Sequence, residues 1–400
     1  MFEQLTQQEI SFFKSKTMIQ LALELSSKAE VRNAIEYFTK SVPGLHLRLK
    51  GTRVEHFTGP VKLYTIPDQY KTLQDAAFFT STFCTPEYSE SFASLGYNDS
   101  KIVLNIQHRY SDGGYFKFLV DNYGNPPSSL TKIPKSSNLV FKDEISSSPT
   151  VPQLPYDERL TRFFSHDKIP QKIEDERDQF ITHFMAAKEF KNYDPVKNSP
   201  KSYSESLWLA NYFAASAQEN HLFPSFGIST FVDLRQFMKT KYDFGNCAHI
   251  ASVTPYSIIN PNMKLSDVAR EMRNDLTRQL NEGYQFGHAK STFSTKDPIP
   301  GIWLEITNMG PLKIKPPIKD AWASLTMKNL GRELTSLMTF SVIDGDRNDV
   351  VTRFRYSPHV LSRKEATRMA ESINYFLRNV SFDRTVASVY DEIKSIYKQL

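Results

Sequence analysis

The stretch HRYSDGG at residues 108–114 combines a histidine, an aspartate and two glycines in a short span. It follows KIVLNIQ, an alternating apolar run that is typical of a buried strand. A neutral histidine at such a strand end can accept a proton, so His108 is a candidate general base. The same residues also fit an ordinary strand-to-helix turn, in which Ser111 or Asp112 caps the helix and His108 is a core histidine.

Side-chain alternation predicts the orientation of this histidine. The apolar residues at every second position from Ile102 to Ile106 share one face, and His108 lies on that face if the strand extends so far. Apolar residues then recur at helical spacing from Phe116, which places the start of a helix near Asp112 or Gly113. Glycines at 113 and 114 let a substrate or another backbone segment approach closely.

Two strand–helix patterns, one near each end of the chain, predict two lobes that each combine a sheet with helices. TMIQLALEL (17–25) is expected to form a strand, followed by a helix with a capping box of Ser27 and Glu30, and then by the strand LHLRLKG. Near the C-terminus, LMTFSVID and DVVTRFRYS are expected to pair around the turn GDRN. The helix after them begins with a second capping box, Ser362 and Glu365.

A segment rich in proline and serine, roughly residues 124–175, separates these patterns and is predicted to be a crossover and loop region. We therefore expect an N-terminal lobe at residues 1–175, with the histidine motif and the crossover, and a C-terminal lobe at 176–400. In the second lobe the clearest strand is GISTFVDLR (227–235), and the clearest helix is LSDVAREMRNDLTRQL.

Composition limits the classes of function. A chain of 400 residues with 40% apolar and 23% charged residues is typical of a globular protein with more than one core. The net charge of +5 is dispersed, which fits a phosphate-bearing cosubstrate and argues against nucleic acid. No apolar run of about 18 residues predicts a membrane span. The N-terminus lacks a signal pattern, and Cys84 and Cys247 form no disulfide framework, so we expect a cytoplasmic protein.

Common catalytic motifs are missing from the sequence. It contains no P-loop, GxGxxG, HExxH, GxSxG or CxxC pattern. These absences argue against a nucleotide hydrolase, a Rossmann dehydrogenase, a zinc protease and an α/β-hydrolase. The nine histidines are scattered, with no two at metal-ligand spacing, so no metal site is expected.

The HxxxDG pattern, after a buried strand and before an amphipathic helix, resembles the chloramphenicol acetyltransferase-like superfamily. That superfamily includes alcohol acetyltransferases, polyketide-associated acyltransferases, plant BAHD acyltransferases and the condensation domains of nonribosomal peptide synthetases. The resemblance covers nearly the whole chain. VDLRQFMKTKYDFGNC resembles the superfamily's second-lobe strand, which ends in arginine and is followed by a Gly-Asn pair. ITNMG (306–310) resembles the end of another of its strands, and FRYSPHVLSRKEATRM resembles its last strand and helix.

The resemblance implies a fold and a role for each candidate residue. The fold is α/β (α+β), with two lobes that are each a mixed sheet flanked by helices and an active-site tunnel between them. His108 would be the general base. Asp112 and Gly113 would support the site, with the Asp112 carboxylate turned away from the histidine and paired with Arg235 to tie the lobes together. From the residues alone, Asp112 would instead orient His108, and Arg235 would be a solvated charge.

Two asparagines, Asn246 and Asn308, lie near the tunnel in this family, so the resemblance makes them candidates for substrate contact or oxyanion support. From the residues alone, each could equally be a turn residue. The sequence also departs from the family. Gln107 stands where many condensation domains and wax ester synthases carry a first histidine, and no DFGWG occurs near residue 330. These departures favour the alcohol or polyketide-associated acyltransferase branch.

The function implied is acyl-CoA-dependent transfer of an acyl group, with acetyl as the expected one, to a hydroxyl or amine acceptor. His108 would act as the base without an acyl-enzyme. Acyl-CoA would be a cosubstrate, and no permanently bound cofactor is expected. Two alternatives are a condensation-type enzyme that takes its acyl group from a carrier protein, and a non-catalytic binding protein with the same fold.

Overall fold

The computed structural model describes residues 3–4, 16–130, 133–151, 154, 157, 159, 179–240, 243–245, 249–291, 304–326, 335–358 and 360–400. The strands are β1 (Glu3–Gln4), β2 (Met18–Leu25), β3 (Leu47–Lys50), β4 (Arg53–His56), β5 (Leu63–Thr65), β6 (Ala93–Tyr97), β7 (Lys101–Gln107), β8 (Gln179–Ala186), β9 (Tyr193–Asp194), β10 (Ser199–Pro200), β11 (Ser225–Gly227), β12 (Ser229–Asp233), β13 (Ile250–Val253), β14 (Tyr256–Ile258), β15 (Glu305–Lys313), β16 (Ile318–Thr326), β17 (Ser336–Asp344) and β18 (Arg347–Tyr356). The helices are α1 (Lys28–Ser41), α2 (Leu73–Phe83), α3 (Gly113–Asp121), α4 (Ser137–Val140), α5 (Lys142–Ser147), α6 (Tyr203–Gln218), α7 (Leu265–Asn281), α8 (Tyr284–Ser291), α9 (Arg363–Asn379) and α10 (Val386–Gln399).

Two mixed sheets form the centres of two lobes, as the sequence predicts. The first sheet has the order β16–β2–β7–β6–β5, and the second has the order β13–β12–β15–β17–β18–β8. Parallel pairing joins β5 to β6 in the first sheet, and β12, β15 and β17 in the second, while the other pairs are antiparallel. Helices pack with each sheet around a hydrophobic core, and the core of the first sheet also includes Leu312, Phe340 and Val351 from strands of the second. The predicted mixed α/β fold class is therefore confirmed.

One strand of the first sheet comes from the second half of the chain. β16 pairs antiparallel with β2 along its length, with Trp322 opposite Ala22. The predicted lobe boundary at 175/176 lies outside the described residues, and the first sheet contains a strand from beyond it. LHLRLKG also departs from the expected pattern, because its strand β3 pairs with β4 in a separate small sheet.

A buried polar ladder sets the register in which β16 joins the first sheet. The Ser324 hydroxyl donates to Gln20 Oε1 at 2.9 Å, and Gln20 Nε2 donates to Asn105 Oδ1 at 2.9 Å. These three residues lie directly opposite one another on β16, β2 and β7. A slip of one residue would leave buried amide groups without hydrogen bonds, which costs more than the bonds contribute when made.

The predicted helix starts are present, with one difference in detail. Ser362 and Glu365 form the full capping box of α9, where each side chain accepts from the other residue's backbone N–H. Ser27 caps α1 by accepting from Glu30 N, but the Glu30 carboxylate accepts from the Asn33 amide instead of closing the box.

Candidate active site

The strand β7 ends at Gln107, and His108 begins a short 3-10 turn, His108–Tyr110. The strand therefore does not extend to His108, which was the condition for its sharing the face of Ile102 to Ile106, and the histidine is half-buried. The turn begins here because Gln107 Oε1 accepts a hydrogen bond from Arg109 N at 2.6 Å. Tyr88 also hydrogen-bonds the Gln107 side chain. Gln107 thus shapes the turn that presents His108.

The imidazole of His108 is oriented by the turn itself. His108 Nδ1 lies 2.8 Å from the backbone carbonyl oxygen of Ser111. A carbonyl oxygen can only accept, so Nδ1 carries a hydrogen. In the neutral ring the lone pair that can take a proton is then on Nε2. The local backbone thereby selects one tautomer.

The Asp112 carboxylate faces the second lobe. Its Oδ1 accepts from Tyr115 N at 2.8 Å, which caps α3, and also receives Arg235 Nη2 at 2.7 Å. Its Oδ2 accepts from His249 N at 2.7 Å. Burial alone would raise the pKa of this carboxyl, but the Arg235 guanidinium and the two backbone N–H donors lower it below its ordinary value. The predicted ion pair between Asp112 and Arg235 is therefore present, and the carboxylate is stabilised in its charged form.

Arg235 is held at the end of the second-lobe strand that the sequence predicts. β12 ends at Asp233, and a 3-10 turn carries the arginine back toward the first lobe. Arg235 Nη1 donates to Asp233 Oδ1 at 2.9 Å, so the guanidinium bridges two carboxylates. Its side chain is only 10% exposed. An ion pair with that burial is strong only because several hydrogen bonds satisfy both charges.

The two glycines of HRYSDGG allow second-lobe groups to approach α3 closely. A Cβ atom at Gly113 would lie 2.7 Å from Met309 Cγ and 3.2 Å from Met309 Cα on β15. A Cβ atom at Gly114 would clash with Arg235 Nη1 and lie 2.7 Å from Asp233 Oδ2. Both positions therefore need glycine because of the lobe contact. The groups that approach the two glycines closely are side chains and backbone of the second lobe.

A second histidine supports this contact and was missed by the sequence analysis. His249 is fully buried just before β13, and its ring contacts Ser137 Oγ through Nδ1 at 3.1 Å and packs edge-on against Phe141. Burial, aided by the nearby Arg235, lowers the pKa of His249 to about 4, against the opposing effect of Asp112. No motif or periodicity marks this position, since its partners come from the crossover segment and the first lobe.

The two asparagine candidates differ in what is known of their positions. Asn246 lies outside the described residues. Asn308 is exposed on β15, and its Oδ1 accepts from Gly310 N at 2.9 Å, next to a bulge in the pairing with β17. The strand continues to Lys313, so the predicted strand end at ITNMG is a bulge within a longer strand. Among the described residues, no group of three or more His, Cys, Asp or Glu side chains is placed to hold a metal ion.

Comparison with known proteins identifies the fold. No family model and no curated protein matches the sequence. A solved structure of polyketide synthase associated protein 5 from Mycobacterium tuberculosis is similar, with a TM-score of 0.64 and 13% identity over 94% of this chain and 97% of that one. The chain has the chloramphenicol acetyltransferase-like fold. The epimerization domain from the third module of tyrocidine synthetase B matches 99% of the chain and 98% of its own length, with a TM-score of 0.60 and 10% identity.

The starter condensation domain of the rhizomide synthetase RzmA has the same fold, with a TM-score of 0.57 and 9% identity over 97% of this chain and 98% of that one. The resemblance predicted from HxxxDG is thus confirmed for the chloramphenicol acetyltransferase-like fold.

In the part of the chain that the structure describes, no helix has both the length and the apolar character needed to span a membrane.

Replacing Asp112 by asparagine should destabilise the protein at neutral pH. The substitution removes one of the two carboxylates that the buried Arg235 guanidinium bridges, so we expect the free energy of unfolding to fall by roughly 3 kcal/mol. The pKa of Asp112 is lowered in the folded state. Its stabilising effect is therefore complete above the unfolded-state pKa, near about 4, and is lost as the pH falls below that value.

Urea unfolding of both proteins across pH tests this prediction. The difference between wild type and Asp112→Asn should be constant from pH 7 to pH 5 and should shrink below about pH 4. Asp267→Asn is the control, because its pair with Arg270 is exposed and should contribute less than about 1 kcal/mol. A difference that does not change with pH would contradict the ion-pair account.

Replacing Gly114 by alanine should weaken the same contact. Alanine favours a helix over glycine by up to about 1 kcal/mol, but here the added Cβ must displace the Arg235 guanidinium. We expect a net loss of about 1–3 kcal/mol in the free energy of unfolding. The Asp112→Asn/Gly114→Ala double variant should lose less than the sum of the single losses, because both changes act on one ion pair. Strict additivity would show that the glycine serves another purpose.

Proposed function

We propose that the protein is an acyltransferase in which His108 is the general base. The proposal rests on the different contacts that His108 and Asp112 make in HRYSDGG. The Ser111 carbonyl holds His108 Nδ1, while Asp112 is turned away and bound to Arg235. A histidine that is oriented by backbone, with Nε2 as its basic atom, suits proton abstraction from an alcohol or amine. Asn308 and Asn246 remain candidates for substrate contact.

The proposed reaction is a direct transfer. His108 Nε2 removes a proton from the acceptor while the acceptor's oxygen or nitrogen attacks the thioester carbonyl carbon. The tetrahedral intermediate then collapses, the carbon–sulfur bond breaks, and the thiolate takes the proton from His108. The protein forms no covalent bond to the acyl group, so neither cysteine has a required role. Positioning of both substrates between the lobes supplies the rest of the rate enhancement.

Acyl-CoA is the proposed donor, because the chain has dispersed positive charge and no first histidine of the condensation type. A second candidate donor is an acyl group on a carrier protein. The likeness to a starter condensation domain favours this alternative. Offering acetyl-CoA alone, without a carrier, separates the two, since turnover under that condition requires no carrier protein.

A panel of alcohols and amines with acetyl-CoA, followed by release of free thiol, tests the proposal. Once an active acceptor is found, His108→Ala should keep the fold and lose roughly 10²–10⁴-fold in turnover, because it removes the base. His221→Ala is the matched control, since that ring is partly exposed beside Asp157 and away from the turn. Turnover by His108→Ala close to that of wild type would rule out the mechanism.

A binding protein with the same fold gives a different set of results. It would show a thermal shift with CoA but no thiol release with any acceptor, and His108→Ala would leave that shift unchanged. Thiol release that depends on His108 is expected instead.

A further inference from the structure

A second cluster of polar side chains lies where the outer strands of the two sheets meet. Arg353 on β18 stacks over Phe180 on β8, with Cζ 4.1 Å from the ring centroid, and over Trp322 on β16, 5.0 Å away. Thr182 on β8 is directly opposite Arg353 in the strand pairing. The cluster therefore joins β8 and β18 of the second sheet to the edge strand of the first.

Four donor atoms of this cluster have no acceptor among the described residues. Arg353 is 5% exposed, and its Nε and Nη1 atoms are buried without a hydrogen-bond partner. The indole Nε1 of Trp322 and the hydroxyl oxygen of Thr182 are also buried without a hydrogen-bond partner. Guanidinium and indole nitrogens can only donate, and the Thr182 hydroxyl, which could accept from them, hydrogen-bonds neither. Buried polar groups are nearly always paired in native proteins, and a group of adjacent unpaired donors indicates an acceptor that binds from outside.

The charge of the cluster is also uncompensated. Among the described residues, no carboxylate forms an ion pair with Arg353, and burial alone lowers its pKa to about 9. The other buried arginines near the lobe contact differ. Arg235 bridges two carboxylates. Arg355 interacts with Glu305: burial raises the pKa of the Glu305 carboxyl to about 7, and the charge of Arg355 acts against that rise. The site thus holds one unbalanced positive charge.

Apolar surface adjoins the donors. Phe184 lies two residues after Thr182 on β8 and is 59% exposed. Its ring centroid is 6.0 Å from that of Trp322. Phe180 lies on the same face at the other side. A ligand bound to the donors would therefore rest its remaining atoms on aromatic rings that lead to the surface. Exposed apolar groups beside polar donors are typical of sites for amphipathic small molecules.

We propose that Arg353, Trp322 and Thr182 bind the carboxylate of a small organic acid whose apolar part packs against Phe180 and Phe184. A carboxylate supplies one negative charge and two acceptor atoms, which match the single unbalanced guanidinium and its neighbouring donors. A phosphate dianion would bring a second charge with no cation to balance it. The site is separate from the His108 turn, since Trp322 is aligned through Ala22 with Val103, and β7 continues for four residues, about 13 Å, from Val103 to its end at Gln107.

Binding of hexanoate, measured by calorimetry at pH 8, tests this inference without any acyl transfer. Wild type should bind hexanoate, and Arg353→Met should bind it at least tenfold more weakly, because a charge-assisted hydrogen bond is lost. 1-Hexanol and inorganic phosphate should show no binding that depends on Arg353. Arg270→Met, which removes an exposed charge on α7, should bind hexanoate like wild type.

Thermal unfolding without ligand separates a binding site from a structural arginine. Arg353→Met should unfold at the same or a higher temperature, because an unpaired buried charge is replaced by an apolar side chain. Trp322→Phe keeps the ring packing and loses the N–H donor, so it should weaken hexanoate binding with little change in unfolding temperature. Equal hexanoate affinity in wild type and Arg353→Met would overturn the proposal. So would binding of phosphate in place of hexanoate, or a large drop in the unfolding temperature of Arg353→Met.

Discussion

The contact between Asp112 and Arg235 is the interaction on which the arrangement of the candidate site depends. One carboxylate caps α3, accepts from the guanidinium of the second lobe and accepts from the backbone of His249. Each of these partners belongs to a different segment of the chain. Because the carboxylate is 1% exposed, its charge is stable only while all of them are in place. The turn that presents His108 is four residues long between the strand and this anchor, so its geometry follows from the anchor.

Two further features hold the lobes in one relative position. The glycines at 113 and 114 bring α3 against β15 and the Arg235 turn, where a Cβ atom would clash with Met309 at the first position and with the Arg235 guanidinium at the second. On the other side, β16 crosses from the second half of the chain into the first sheet, and Gln20 fixes its register through buried hydrogen bonds. The lobes are thus joined both by side-chain contacts and by backbone pairing. A substrate that reacts between them would meet groups whose positions are set by both lobes.

Local patterns predicted the parts of the fold that short-range physics controls. The helix starts at Ser27 and Ser362, the hairpin around GDRN and the strand before Arg235 all follow from capping, turn chemistry and periodicity. The role of Asp112 needed the resemblance, because the residues alone would have placed it beside His108. Long-range features left no local signal. The addition of β16 to the first sheet and the burial of His249 depend on partners more than 100 residues away, and the unpaired Arg353 is recognised only when its neighbours are known.

The Ser111 carbonyl orients the base, because it accepts the hydrogen that His108 carries on Nδ1. Nitrogen-15 NMR of the His108 ring at a pH where the ring is neutral tests it most directly, with His108→Ala used to assign the signals. We expect the tautomer with hydrogen on Nδ1 in wild type and the same tautomer in Asp112→Asn, because the Asp112 carboxylate is bound to Tyr115 N, Arg235 and His249 N. A ring that carries its hydrogen on Nε2, or one that changes tautomer when Asp112 is replaced, would contradict it.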